Sequence, residues 1–174
     1  VSVQRRSYRY VGPVDLSTGL LPGGSGRRIG SADDFDGWVA ERSAADLAEP
    51  FTFVVGTDGV LRLAPRRSEH VACAGGEPVL SAGEIAFSRE AGGRWVTDHV
   101  SNHSTGYCPD TSSWPAVARA LDQVGLEHLS GFTHEVVFRR CPGCREHNVV
   151  REDHFVCVFC GGDLPEVWNV DPSA

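Results

Sequence analysis

Apolar residues recur at three- and four-residue steps in some stretches of the chain and cluster in short runs in others, and this contrast divides it into helices and strands. Phe35, Trp38 and Val39 share one helical face behind Ser31, whose hydroxyl is placed to cap the helix, with Asp34 in the first turn. The spacing predicts a helix over 32–47, ended by Pro50. Ser113-Trp114-Pro115 predicts the start of a second helix, because proline in the first turn lacks an N–H that would have no helical partner anyway. Trp114, Val117, Leu121 and Val124 then repeat at helical spacing up to Gly125, a C-terminal cap; this stripe reads as core.

Strands are predicted at 51–55 and 60–64, joined through Asp58-Gly59, a pair that supplies the positive φ of a hairpin turn. A second hairpin is predicted from 84–88 and 94–100 around Ala91-Gly92-Gly93, and residues 132–138 read as a strand leading into the C-terminal unit, which is therefore expected to continue the main sheet. Arg5, Arg6 and Arg9 among Tyr8, Tyr10 and Val11 suggest an edge strand with a basic outer face. Residues 19–30, broken by Pro22 and several glycines, read as a loop. Its Gly23-Gly24-Ser25-Gly26-Arg27-Arg28 run lacks the Lys-Ser/Thr ending of a phosphate-binding P-loop and reads as a connection. The expected fold is α+β: a twisted, mainly antiparallel sheet of about five or six strands carrying two helices. Residues 1–138 form this domain, and 139–174 a smaller unit and tail.

That smaller unit carries the strongest motif. Cys141-Pro142-Gly143-Cys144 and Cys157-Val158-Phe159-Cys160 offer four thiolates across a short connection, the donor set of a closed tetrahedral structural zinc site. Four cysteines leave no open position on the metal, so one structural Zn2+ is expected. The second pair continues as Gly161-Gly162-Asp163-Leu164-Pro165, and residues 138–165 resemble the rubredoxin-like knuckles of small zinc ribbons. Arg145 stands where such knuckles usually have glycine.

Composition narrows the function classes. The 174 residues carry sixteen basic side chains, all arginine, against 23 acidic ones, a formal charge of −7 that argues against general affinity for nucleic acid. No apolar run is long enough to cross a bilayer and no basic-then-apolar leader opens the sequence, so a cytoplasmic protein without a membrane role is expected.

Reactive side chains concentrate in the middle, at Arg66-Arg67-Ser68-Glu69-His70, Ala82-Gly83-Glu84 and 101–109. His70, Gly75-Gly76, Ala82-Gly83-Glu84 and the segment Ser104-Thr105-Gly106-Tyr107-Cys108-Pro109 resemble a region shared by plant calmodulin-binding IQ-motif proteins and bacterial effector-like proteins, over about residues 51–125. There the last segment reads Ser-Gly-His-Tyr-x-Pro; here Thr105-Gly106 replaces Gly-His, and His103 stands just upstream. The resemblance implies a shared fold for the middle of the chain and, without an IQ motif, no calmodulin binding. The whole chain also resembles uncharacterised actinobacterial proteins.

From the residues themselves, His70 and Glu84 are candidates for an acid–base pair and Tyr107 for a hydroxyl donor. Arg66 and Arg67 are candidates for an anion clamp, with Asn102, His103 and Ser104 orienting a ligand. Each has a structural alternative as a hydrogen-bonded loop or strand-end residue. Asp98, His99 and His103 are candidates for a second metal site, on a spacing that fixes no common face, and Cys73 and Cys108 for nucleophiles; both thiols read better as buried filler. Two functions follow: a pocket that binds an anionic small-molecule or nucleotide-like ligand, with its transformation left open, or a non-catalytic module that docks a protein partner through the ribbon and aromatic surface.

Overall fold

The computed structural model describes residues 6–21 and 23–171; Arg5 and Pro22 lie outside them. In chain order the elements are β1 (Arg27–Ile29), α1 (Ala32–Ala40), α2 (Ala44–Leu47), β2 (Phe51–Gly56), β3 (Leu61–Ala64), α3 (His70–Cys73), β4 (Val79–Arg89), β5 (Trp95–Val100), α4 (Trp114–Val124), β6 (Val137–Arg140) and β7 (His147–Val150). Strands β1 to β5 form one sheet in the order β1-β3-β2-β4-β5, every pairing antiparallel, while β6 and β7 pair separately. The fold is α+β, as expected.

Strand β2 is buried from Phe51 through Val55 because the sheet is covered on both faces. Phe51, Phe53 and Val55 point to the face where Phe35 and Trp38 of α1 and Val117, Leu121 and Val124 of α4 pack. Val54 points the other way, into a cluster with Tyr8, Val71, Cys73, Val79 and Tyr107. Period-two alternation puts these residues on opposite faces, and a strand covered on both sides reads as a continuous apolar run.

Three expectations are revised. The helix over 32–47 breaks after Ala40, because Ser43 caps a new turn: Asp46 N–H donates to Ser43 Oγ (3.1 Å) and Ser43 N–H to Asp46 Oδ2 (3.0 Å). Strand β4 begins at Val79 rather than Glu84, with small residues in its first half because other backbone crosses it closely. A Cβ on Gly83 would overlap the carbonyl oxygen of Ser101. The C-terminal ribbon does not continue the main sheet. Its entering segment touches the end of β5 through Thr133 N–H to Val100 O (2.8 Å) and the residue just beyond it through the isolated Ser101–His134 bridge. The ladder stops there because the Asn102 side chain takes both backbone groups of Val136, accepting from its N–H (2.7 Å) and donating to its carbonyl (2.7 Å).

The expected N-terminal edge strand is reduced, among the described residues, to an isolated bridge in which Tyr8 exchanges backbone bonds with Val79 (2.7 and 2.9 Å), and Arg27–Ile29, inside the stretch expected as a loop, is the edge strand β1. Beyond the ribbon the chain returns to the main body. Trp168 donates from Nε1 to Cys108 O (2.8 Å) and meets the Tyr8 ring edge-on at 5.2 Å, and Val170 is buried with Val136 and Phe138. Among the described residues no helix is long and apolar enough to cross a membrane.

Candidate metal centre and the adjoining cleft

The four ribbon cysteines converge, all four Sγ atoms lying within 4.8 Å of one another. Cys141 Sγ is 3.5 Å from Cys160 Sγ, and Cys144 Sγ 3.6 Å from Cys157 Sγ. A tetrahedron with metal–sulfur bonds of about 2.3 Å has edges of about 3.8 Å, so this donor set fits a tetrathiolate-bound ion. Among the described residues, Asp98, His99 and His103 form no such group.

The two knuckles are built alike. Arg145 N–H donates to Cys141 O and Gly161 N–H to Cys157 O, both at 2.9 Å, and Cys141 and Cys157 donate to the carbonyls of Glu146 and Gly162. Arg145 at φ +71° matches Gly161 at φ +75°. The arginine therefore adopts the left-handed turn that the other knuckle gives to glycine, at a cost of about 1 kcal/mol.

Backbone and side-chain N–H groups aim at the sulfurs: Cys144 N to Cys141 Sγ (3.5 Å), Phe159 N to Cys157 Sγ (3.4 Å), and Asn148 Nδ2 to Cys157 Sγ (3.4 Å). Against the desolvation that opposes ionisation, the N–H groups of Cys160 and Phe159 and the Asn148 amide bring the Cys157 thiol down to about 6. Asn148 also accepts from Val158 N–H (3.0 Å) and so ties β7 to the second knuckle. Sequence reading missed it, since a lone asparagine in a strand carries no motif. Arg139 carries no motif either. It is buried, with its guanidinium donating to the carbonyls of Pro165 (2.9 Å), Phe138 (2.7 Å) and Glu166 (2.6 Å), and it clasps the strand that follows the second knuckle.

The residues singled out in the middle of the chain divide into two groups. His70 lies among Glu84, Glu69 and His103, close enough for their charges to act on its imidazole, and its Nε2 faces Gly83 O at 2.8 Å. Burial holds its pKa below the usual histidine value. Ser101 Oγ accepts from the N–H groups of Glu84 (3.1 Å) and His103 (3.3 Å) and so sets the spacing of that trio. Tyr107 and Asn102 are engaged elsewhere: Tyr107 Oη donates to Glu77 O (2.8 Å), and Asn102 is fully buried, with a further bond to Pro109 O (3.0 Å). Ser104 is buried and accepts from Tyr107 N–H (3.3 Å). Arg66 pairs with Glu49 at 3.3 Å, and with Arg67 it lines a hollow of about 210 Å³ formed with Arg42, Asp46 and Glu49. None of His70, Glu84 or Tyr107 lines that hollow. Cys73 and Cys108 are buried and their thiols are pushed up to about 12 by desolvation, as filler residues would be.

A larger cleft lies where the N-terminal segment meets the ribbon. It encloses about 530 Å³ and is lined by Arg9, Tyr10, Val11, Arg140, Arg145, Glu146, His147 and Asp171. Arg9 is held by Asp171 at 2.8 Å, and Arg140 Nε donates to Arg145 O at 3.2 Å. Among the described residues neither Arg140 nor Arg145 has a carboxylate within 4.0 Å of its guanidinium. Burial and the Arg140 charge hold the His147 pKa below the ordinary histidine value. The sequence hid this cleft because its cationic side chains come from segments more than 130 residues apart, and each looked like an ordinary surface charge.

The metal centre thus rests on the geometry of the four cysteines. No protein-family model, no curated protein and no solved structure matches the chain, and the resemblance seen over residues 51–125 gains no support from those comparisons.

Proposed function

We propose that the protein is a zinc-ribbon ligand-binding protein: Zn2+ fills the tetrathiolate site and fixes the ribbon, and an anionic small molecule binds in the cleft between the ribbon and the N-terminal segment. The observation that carries this reading is that cleft, in which three guanidiniums gather on a chain of net charge −7. A cationic concavity on an acidic protein attracts small anions while the surrounding surface disfavours polyanions such as nucleic acid. In this reading Asn102, Ser104 and Tyr107 build the scaffold, and ligand contact belongs to the ribbon's arginines rather than to Arg66 and Arg67.

Native mass spectrometry of the purified protein tests it against the denatured mass. The expected result is one zinc and a releasable anionic small molecule, or uptake of added small anions by the zinc-loaded protein. Zinc with no anion bound under any loading would remove the ligand-binding part.

A second reading, a protein-docking ribbon, is favoured by one specific observation. Val158 and Phe159, between the two cysteines of the second knuckle, are 78% and 64% exposed. A knuckle that only folded the ribbon has no need of an apolar tip. Under this reading Phe159→Ser removes partner capture and leaves metal content and anion binding unchanged.

A further inference from the structure

The cleft's own chemistry narrows the ligand. We infer that it takes the phosphate group of a small phosphate monoester, with Arg140 and Arg145 as the clamp; this rests on the reading of the cleft as an anion site. Three features point there. First, Arg140 and Arg145 reach the cleft from the two sides of the first knuckle, with no carboxylate within 4.0 Å of either guanidinium among the described residues, and two guanidiniums from different positions suit an anion with several non-coplanar oxygens. A carboxylate is satisfied by a single planar fork.

Second, the volume of about 530 Å³ exceeds what a lone phosphate needs, and Tyr10 and Val11 supply an apolar wall for the organic part of an ester. Third, Arg145 occupies the left-handed position that the twin knuckle fills with glycine, at φ +71° against +75°. The first knuckle therefore carries, at this strained position, a side chain that its twin lacks, and that side chain lines the cleft. The knuckle also makes the clamp conditional on the metal, since Arg145 is placed by its N–H bond to Cys141 O. Glu146 and Asp171, which also line the cleft, oppose any anion; Asp171 is engaged by Arg9, and the repulsion from Glu146 grows with the ligand's charge as does the attraction of the two clamp guanidiniums.

The test uses full-length, zinc-loaded protein and isothermal titration with phenyl phosphate, inorganic phosphate, benzoate and a phosphoserine peptide. Phenyl phosphate is expected to bind in one saturable step, more tightly than inorganic phosphate and at least about tenfold more tightly than benzoate. Arg145→Gly is expected to weaken that binding at least about tenfold while keeping its zinc and an equal or higher Tm, because glycine relieves the backbone strain. Benzoate binding as tightly as phenyl phosphate overturns the phosphate assignment and leaves the anion site standing. Tighter binding of the phosphopeptide overturns the small-molecule source. Unchanged affinity in Arg145→Gly overturns the clamp, and no binding by any of the four probes overturns both this inference and the reading beneath it.

Discussion

Asn148 shows how much one side chain of the ribbon decides. Its amide donates to Cys157 Sγ and to Glu146 O, and its carbonyl accepts from Val158 N–H, so one buried residue orients a ligand sulfur and joins the two knuckles. Groups that hold metal ligands in place typically change affinity by about 10- to 100-fold when lost, so Asn148→Ala is expected to weaken zinc about tenfold in a competition titration with a chelating dye. His70 carries a second prediction. Because burial depresses its folded pKa, the unfolded chain takes up a proton near pH 6.5 while the folded protein does not. Its contribution to stability is therefore complete above about pH 6.5 and is lost as the pH falls from there toward the folded pKa. Urea melts at several pH values, with excess metal, are expected to show a shallower acid-side loss for His70→Gln than for the parent. The residue scale is also where sequence reading was weakest. Cysteines announce themselves by spacing, but Asn102, Asn148 and Arg139 act through backbone carbonyls and N–H groups supplied by distant segments, and no local pattern encodes such partners.

Elements were legible where local chemistry and packing agree. Helix α4 starts after Ser113 with Pro115 in its first turn, ends at Gly125 and buries Val117, Leu121 and Val124; the hairpin β2–β3 turns at Asp58-Gly59, with Gly59 at φ +78°. Where the sequence misled, a side chain had replaced a backbone partner. Ser43 restarts a helix that periodicity alone would carry through, and Asn102 ends a sheet that residues 132–138 were expected to extend. The ribbon is a hairpin of four-residue strands, β6 and β7, held by four sulfurs and the Arg139 clasp, so it has little apolar core of its own. Metal binding in such a unit is coupled to its folding. Chelation is expected to abolish amide-exchange protection across 137–164 while the amides of β2 and β4 keep theirs; protection retained in the ribbon without metal would refute that coupling.

At the scale of the whole molecule, the cleft exists only because the first and last stretches of the described chain meet. Arg9 and Tyr10 line it from the N-terminal segment, with Asp171 paired to Arg9, and Arg140, Arg145, Glu146 and His147 line it from the ribbon. The acidic net charge was legible at once, but its local reversal was not, since a charge total says nothing about which arginines the fold brings together. The same meeting of distant segments governs the order in which the protein is completed. Tyr8 is paired with Val79 through its backbone and meets the Trp168 ring edge-on, so its surroundings are finished only when residues from both ends of the described chain are in place. Closing so long a loop is entropically slow, and the segment bearing Trp168 leaves directly from the second knuckle. Burial of Trp168 should therefore be the last event of refolding, and its rate should rise with zinc concentration. The metal then acts as a clock for the seam: under the proposed function, the cleft is complete only after an ion has been captured by the cysteines beside Arg140 and Arg145.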